Sequence, residues 1–239
     1  NDTLTVWTGS SILLGGGGLD SLAAGDGDHI LIGDTARLVS TAQTVAASGQ
    51  AMRQVTTITS LSATAGGVDT ITAGNGGSIV MGGVGGDTIR LGDVGASGAG
   101  SIVMGDHATL TIDAATGATT RIEAAFSGLG GADNITLGTV AGVVMGGDFG
   151  DSITAGNGNL LIVGDQGLIL GTAVKPTTAG AIPMTLLSVA TTAVTAGGAD
   201  VISGGAGNDT VVLNASNVTA LAATNSALID GEIGRASCR

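Results

Sequence analysis

The sequence predicts an all-β protein, a parallel β-roll or β-helix solenoid built from nine-residue half-turns. Three observations predict it: abundant glycine, aliphatic residues on a nine-residue grid, and a longer repeat that contains this grid. The 239 residues include 45 Gly but one Trp, two Phe and no Tyr, while 43% are hydrophobic. This composition suits thin stacked cores with many tight turns, and it argues against both a conventional aromatic core and a disordered chain.

Aliphatic residues recur every nine positions, with one irregular 14-residue step before Val103. The grid comprises Leu4, Leu13, Leu22, Leu31, Ile71, Val80, Ile89, Val103, Ile135, Val144, Ile153, Ile162, Ile202 and Val211. Nine residues fit a glycine-rich turn followed by a strand of about three residues whose middle side chain points inward. Two such half-turns make one coil, and the inward aliphatics then stack between two parallel sheets.

The grid recurs in four blocks, whose first members Leu4, Ile71, Ile135 and Ile202 are spaced 67, 64 and 67 residues apart. The predicted organisation is β-roll blocks at 1–34, 66–106, 128–165 and 196–231, separated by inserts at 35–65, 107–127 and 166–195. The opening residues NDTL match the interior of GNDTVV at 207–212. We therefore expect the first and last blocks to be truncated.

The inserts lack the grid and are rich in Thr, Ala, Val and Ser. The middle insert contains TLTIDAATGATTRIEAAF at 109–126, whose alternation around a Gly-containing turn predicts a β-hairpin. In the other two, QVTTITSLS at 54–62 and TLLSVATT at 185–192 suit strands of longer hairpins or irregular loops. A short helix near 42–54 is an alternative.

The last eight residues, 232–239, break the composition, since they hold the only cysteine and two of the seven basic residues. Their sequence EIGRASCR resembles a translated sequencing adapter, so we interpret the segment as an assembly artefact; a natural basic tail is the alternative. Without it the chain has no cysteine, which suits a secreted protein that is stabilised by something other than disulfides.

The net charge of −12, with Lys175 as the only lysine, argues against partners that are nucleic acids or anionic membranes. No long unbroken apolar run predicts insertion into a membrane. No signal peptide is visible at the start of the sequence.

Aspartates lie two residues before grid positions. They form pairs 18 residues apart, which is one full coil: Asp2 with Asp20, Asp69 with Asp87, and Asp133 with Asp151. The opposite edge carries Ser11, His29, Ser78, Gly142 and Leu160 instead. Carboxylates stacked one strand spacing apart, ~4.8 Å, repel each other unless a cation lies between them. Together with glycine carbonyls they suit Ca²⁺, which takes six to eight oxygen ligands.

The turns match the nonapeptide pattern G-G-x-G-x-D-x-U-x, where U is aliphatic, fully at 15–23, 82–90 and 204–212. The match at 146–154 is degraded, since Phe149 replaces a glycine. The predicted calcium ligands are Asp2, Gly15, Gly16, Gly18, Asp20, Gly66, Gly67, Asp69, Gly82, Gly83, Gly85, Asp87, Gly130, Asp133, Asp151, Asp200, Gly204, Gly205, Gly207 and Asp209. The alternative is that these aspartates only cap turns. For Asp34, Asp106 and Asp165, at block ends, turn formation is favoured over a supplementary ligand role.

These motifs resemble the RTX (repeats-in-toxin, hemolysin-type) calcium-binding repeat family. The resemblance implies a parallel β-roll, folding on extracellular calcium, export through a bacterial type I system, and a location outside the cell or on its surface. Blocks alternating with Thr-rich inserts resemble the stalks of large bacterial surface proteins, so the expected partners are calcium ions and flanking repeats of the same chain. Because one edge lacks aspartates, we expect about one site per block.

A second hypothesis is an adhesive or carbohydrate-binding module, with a glycan or another surface as partner. Thr3, Thr5, Thr70, Thr72 and Thr136 are predicted to point outward, although not over consecutive turns. We expect no enzyme: no GK[ST] follows a glycine-rich loop, and the two histidines suggest no catalytic triad. A parallel β-helix that acts on polysaccharides is the least favoured alternative.

Overall fold

The structure is a computed structural model that describes residues 1–44, 51–61, 64–93, 100–178, 180–192, 197–213, 218–224 and 227–230. These residues contain 22 strands and no helix, so the predicted all-β class is confirmed. The strands are, in chain order, β1 (Thr3–Val6), β2 (Ile12–Leu14), β3 (Ser21–Ala24), β4 (Ile30–Ile32), β5 (Ala36–Thr44), β6 (Ala51–Ser60), β7 (Thr70–Ala73), β8 (Ile79–Met81), β9 (Thr88–Leu91), β10 (Ser101–Met104), β11 (Ala108–Ile112), β12 (Thr119–Ala124), β13 (Asn134–Leu137), β14 (Gly142–Gly147), β15 (Ser152–Thr154), β16 (Leu160–Asp165), β17 (Gly167–Gly171), β18 (Leu186–Thr191), β19 (Asp200–Ala206), β20 (Thr210–Leu213), β21 (Val218–Thr224) and β22 (Ala227–Asp230). In the described part of the chain there is no helix long and apolar enough to cross a membrane.

Two eight-stranded parallel sheets contain the strands of the predicted blocks. The first parallel sheet has the order β1-β3-β7-β9-β13-β15-β19-β21, and the second has the order β2-β4-β8-β10-β14-β16-β20-β22. Successive block strands therefore alternate between the two sheets. Within a block Leu4 lies beside Leu22, and across the first insert Leu22 lies beside Ile71. The sheets thus continue from block to block.

The aliphatic grid forms the core between the two parallel sheets. Every grid position belongs to one hydrophobic cluster, in which all but Leu4 are buried and Leu4 is partly buried against the rest. The strands of the two parallel sheets are three to seven residues long and leave little room for large side chains. This explains why small aliphatics replace aromatic residues in the core.

The three inserts form a third, antiparallel sheet in the order β18-β17-β12-β11-β6-β5. Each insert contributes one antiparallel pair of strands, and the hairpin predicted at 109–126 is confirmed as β11 and β12. The helix considered near 42–54 is wrong for the described residues, because Ala42–Thr44 pairs with Ala51–Arg53 as strands. The intervening positions 45–50 lie outside the described residues.

The antiparallel sheet packs on the outer face of the second parallel sheet. Ile58, Leu110 and Ile122 of the inserts share a second buried cluster with Met81, Met104 and Met145 of the parallel sheet. The second parallel sheet is therefore apolar on both faces, as sheets covered on both sides generally are. Sequence analysis did not predict this third layer.

Candidate metal centre

Seven aspartates form one continuous column along an edge of the parallel sheets. The aspartate column comprises Asp2, Asp20, Asp69, Asp87, Asp133, Asp151 and Asp200. In it, the backbone N–H of each aspartate donates to Oδ1 of the next. The N···O distances, in order along the column, are 2.5, 2.6, 2.7, 2.7, 2.9 and 2.9 Å. The side chains from Asp20 to Asp200 are buried.

The column joins pairs that the sequence placed in separate blocks. Asp20 contacts Asp69 across the first insert, and Asp151 contacts Asp200 across the third. The expected arrangement of one isolated pair per block is therefore corrected. The physical reason is that the chain leaves the parallel sheets at the start of an insert and rejoins them at the same turn of the stack. A strand before the insert therefore pairs directly with a strand after it, as β3 does with β7 and β15 with β19. Asp200, which lacked a stacking partner in the sequence, lies beneath Asp151.

The second carboxylate oxygen along most of the column has no donor. Within the described residues, Oδ2 of each of five buried aspartates has no hydrogen-bond partner: Asp20, Asp69, Asp87, Asp133 and Asp151. A buried acceptor without a partner costs about 1–3 kcal/mol, and more when it is charged. Such a row of unpaired oxygens is unusual, since buried polar atoms are normally hydrogen-bonded.

Glycines keep these unpaired oxygens close to backbone carbonyls. A Cβ built on Gly15 would lie 2.6 Å from Oδ2 of Asp20 and closer still to the carbonyl oxygen of Gly33. The same pattern, an Oδ2 and a glycine carbonyl next to one glycine, recurs at Gly33, Gly82, Gly105 and Gly146. Any larger residue would displace both oxygens. The glycine at each of these five positions therefore leaves room for a carboxylate oxygen and a carbonyl oxygen side by side.

The other motif glycines are required by backbone conformation. Gly83 has φ +124° and Gly85 has φ +92°, a region that residues with a Cβ rarely adopt. Phe149, which replaces a glycine in the degraded motif, has φ +65° and keeps a left-handed conformation. The turn before Asp151 therefore keeps the backbone shape of the complete motif.

Burial and neighbouring carboxylates disfavour the ionised form of five members of the column, Asp69, Asp87, Asp133, Asp151 and Asp200, by raising the pKa of each. Burial, and after it the charge of Asp133, raise the pKa of Asp87 to about 10. The pKa of Asp151 rises to about 10 for the same two reasons, and burial raises that of Asp133 to about 8. Burial also raises the pKa of Asp69 and of Asp200 to about 7. A cation beside Oδ2 would oppose both effects.

The block-end aspartates accept backbone hydrogen bonds that stabilise the turns where the chain passes from a block into an insert. Asp34 accepts hydrogen bonds from the N–H groups of Val84 (2.5 Å) and Gly67 (3.3 Å). Asp165 accepts one from Gly198 at 3.1 Å. These contacts favour the turn-forming interpretation, and burial raises the pKa of Asp34 to about 6.

Asp106 makes the equivalent contacts at the second insert, with Gly131 at 2.9 Å and with the N–H of Asp148. Asp148 was not among the site residues predicted from the sequence. Both of its carboxylate oxygens accept hydrogen bonds. Its Oδ2 accepts three backbone N–H groups, from Gly128, Leu129 and Gly130, and its Oδ1 accepts a hydrogen bond from the side chain of Gln166 at 2.7 Å. This full complement of donors contrasts with the unpaired oxygens of the column.

Serine hydroxyl groups occupy some of the corresponding positions on the opposite edge, as at Ser78 and Ser101. The N–H of Ser78 donates to Oγ of Ser101 at 3.1 Å, and the N–H of His29 approaches Oγ of Ser78 at 3.4 Å. Sequence analysis missed Ser101 because an irregular step precedes it, although it too lies two residues before a grid position. Asp209, preceded by Gly204, Gly205 and Gly207, lies on this edge and accepts the N–H of Leu160 at 3.1 Å.

The donor set of the column fits a hard cation better than a transition metal. Among the described residues, no group of three or more His, Cys, Asp or Glu side chains converges on one point. Any ion here would therefore be bound by one or two carboxylate oxygens together with backbone carbonyls. Such all-oxygen, partly backbone sites are typical of Ca²⁺.

The fold and this edge define an acidic, all-β repeat protein with a column of carboxylates. Comparison with models of known protein families, with curated proteins and with solved structures found no match.

Proposed function

We propose that the chain is a calcium-binding structural region of a secreted or cell-surface bacterial protein, folded as a β-roll solenoid. The observation that carries the proposal is the row of buried Oδ2 atoms without donors, each beside a glycine carbonyl oxygen. Alternation of strands between two parallel sheets supports the solenoid. The nonapeptide motif, which resembles RTX repeats, supports calcium, export by a type I system, and a location where calcium is abundant.

In this proposal the residues of the column hold the ion together with glycine carbonyls. The N–H of the preceding aspartate fixes Oδ1 of each carboxylate, which leaves Oδ2 available. The carbonyl oxygens of Gly33, Gly105 and Gly146 are candidate neutral ligands. Calcium supplies the positive charge that lets the buried carboxylates ionise.

Calcium then acts as a folding switch. Without it, 19 acidic residues repel one another and 45 glycines carry high conformational entropy in the unfolded chain. With it, the free energy of binding adds to the free energy of folding. Extracellular calcium modules bind at about 10⁻⁴–10⁻³ M, which suits a protein that remains unfolded until it leaves the cell. The folded product is a stiff stack suited to a stalk.

The test is circular dichroism of the purified chain with EGTA and then with millimolar calcium, with magnesium as the control ion. The proposal predicts that the β-sheet signal appears with calcium and disappears with excess chelator, while magnesium has little effect. An unchanged β signal in protein shown by elemental analysis to be calcium-free would exclude calcium as the folding ligand.

A second candidate function is binding to a neutral polysaccharide, and the outer face of the first parallel sheet favours it. Strand pairing aligns exposed or half-exposed small polar residues into a row across the inserts. This row comprises Thr3, Ser21, Thr70, Thr88, Asn134 and Ser152. The sequence suggested that the threonines were not sustained over consecutive turns, whereas the register shows that serine and asparagine continue their row.

A glycan array in calcium buffer separates the two candidates. A stalk folds with calcium and binds no glycan. An adhesive face binds a neutral polysaccharide, and Thr70→Val then weakens that binding without changing the dichroism spectrum.

A further inference from the structure

We propose that a cleft between the second parallel sheet and the antiparallel sheet binds a small organic anion with an apolar body, such as a medium-chain carboxylate. The cleft has a volume of about 520 Å³ and lies near the hydroxyl-bearing edge, away from the aspartate column. This volume is in the range of small-molecule sites. The inference concerns the folded protein and does not depend on calcium being its folding ligand.

The floor of the cleft is a row of aligned isoleucines. Four isoleucines on neighbouring strands pair in register: Ile12, Ile30 and Ile79 begin β2, β4 and β8, and Ile102 is the second residue of β10. Four strands at the usual spacing make an apolar track roughly 14 Å long. Ile12 is 52% exposed at one end of this track, whereas Ile102 is buried at the other. An extended hydrocarbon chain matches this shape.

Residues of the inserts form the opposite wall and the rim. Val55 and Ile112 add apolar surface, while Arg53 and Lys175 add positive charge. These are two of only seven basic residues in a chain of net charge −12, and the cleft contains one acidic residue, Asp28. The rim therefore has an excess of positive charge, which complements an anionic headgroup.

Arg53 is held in place before any ligand arrives. Its Nε donates to Oγ of Ser40 at 2.8 Å, and its Nη2 donates to the carbonyl oxygen of Ser40 at 3.0 Å. A guanidinium has five N–H donors, so three are left over after these two bonds. A charged group positioned in this way loses little entropy when it binds an anion.

The lining also contains a buried polar group. His29 is 1% exposed, and its Nε2 lies 3.1 Å from the carbonyl oxygen of Gly25, which requires Nε2 to carry the proton. Among the described residues its Nδ1 has no hydrogen-bond partner. Buried polar atoms are normally paired, so this nitrogen is an exception among the residues that line the cleft.

The experiment is titration calorimetry of the folded protein with octanoate and with octylamine, which share an apolar body but carry opposite charges. The proposal predicts saturable binding of octanoate, and binding of octylamine that is at least about tenfold weaker. Folding is verified by circular dichroism in the same buffer, so failure to bind is distinguishable from failure to fold.

A matched pair of double variants assigns the site. Arg53→Gln with Lys175→Gln should weaken octanoate binding at least about tenfold, because it removes both rim charges. Arg37→Gln with Arg90→Gln makes the same change in net charge outside the cleft and should leave the affinity unchanged. Ile12→Gln tests the exposed floor and should also weaken binding.

Three results would overturn the proposal. The first is absence of octanoate binding to the folded wild-type chain. The second is equal weakening by both double variants, which would indicate only a general effect of charge. The third is octylamine binding as tightly as octanoate, which would indicate an apolar cleft without selectivity for anions.

Discussion

The two carboxylate oxygens have different roles in five members of the aspartate column, Asp20, Asp69, Asp87, Asp133 and Asp151. Oδ1 accepts a backbone N–H from the adjacent repeat and holds the stack in register, as at Asp69 and Asp87. Oδ2 is buried without a donor in the described structure. An aspartate that only caps a turn needs Oδ1 alone as an acceptor. The buried Oδ2 without a donor is therefore the feature that favours ligand binding over turn formation at these positions.

Replacing Asp87 by Asn should change stability in opposite directions with and without calcium. Asn keeps the acceptor for the N–H of Asp69, and its amide nitrogen is placed to donate to the carbonyl oxygen of Gly105. In chelator the variant should be more stable than wild type by about 1–3 kcal/mol, because it avoids burying an ionisable group. In calcium it should be less stable, because a charged ligand is lost.

Urea unfolding in calcium and the strength of the β-sheet dichroism signal in chelator measure this effect, with Asp93→Asn as the matched control. Asp93 is exposed, its Oδ1 accepts the N–H of Thr139, and Asn75 fills the equivalent position one repeat earlier. The control should change little in either buffer. The same sign of effect for Asp87→Asn in both buffers would count against a calcium ligand at this position.

The raised pKa values predict how the calcium-free protein responds to pH. The pKa of Asp87 and of Asp151 in the folded state is about 10, well above the ordinary value of 3.8, so the folded state holds protons that the unfolded state releases. Their stabilising contribution is complete below that ordinary value and is lost as pH rises towards 10. In chelator, the folded fraction, read from the β-sheet dichroism signal, should therefore be higher at about pH 5 than at about pH 8. Greater stability at the higher pH would contradict the burial of these carboxyls.

Gly83 offers a test of how the turn is built. It has φ +124°, and an added Cβ would lie 2.8 Å from Cβ and Cγ of Asp34. Gly83→Ala should therefore cost about 2–4 kcal/mol, since backbone strain and crowding add. Gly128 also has positive φ, +83°, but has open space around it. Gly128→Ala should cost only about 1 kcal/mol, which is the backbone strain alone. Equal losses of stability for the two variants in denaturant unfolding would show that the structure relieves the crowding at Asp34.

Strand positions followed directly from the sequence, but the layers did not. The grid located 14 of the 16 strands of the parallel sheets, because one inward aliphatic per half-turn is a simple periodic signal; β21 and β22 lie beyond its last member, Val211. The role of Met81, Met104 and Met145 was not predicted, because their partners lie on inserts that lack the grid. The continuity of the aspartate column was also missed, since it depends on where each insert rejoins the sheets, which is a tertiary property.

The antiparallel sheet should behave as a unit distinct from the core between the parallel sheets. Leu110 is fully buried in the cluster between the antiparallel and second parallel sheets, and Leu110→Ala should cost about 2–5 kcal/mol. Hydrogen exchange should accelerate mainly in β6, β11 and β12. Ile89→Ala, in the core between the parallel sheets, should instead accelerate exchange in β7, β9 and β13. Equal acceleration in all three sheets after Leu110→Ala would show that the layers unfold together.

The molecule as a whole combines a periodic acidic edge with a layer that covers one face. The four blocks share two continuous parallel sheets, and the inserts share one antiparallel sheet. In the proposed solenoid, the acid-rich edge binds cations and the covered face adds apolar burial that the narrow core lacks. Both features suit a rigid module that folds outside the cell.

The most direct test is a crystal structure grown in millimolar calcium, with anomalous scattering used to locate the ions. The account predicts anomalous peaks along the aspartate column, within about 2.3–2.6 Å of Oδ2 of residues such as Asp69 and Asp87. A well-ordered structure of the folded chain in calcium, with no peak beside any of these oxygens, would contradict the proposed role of the column.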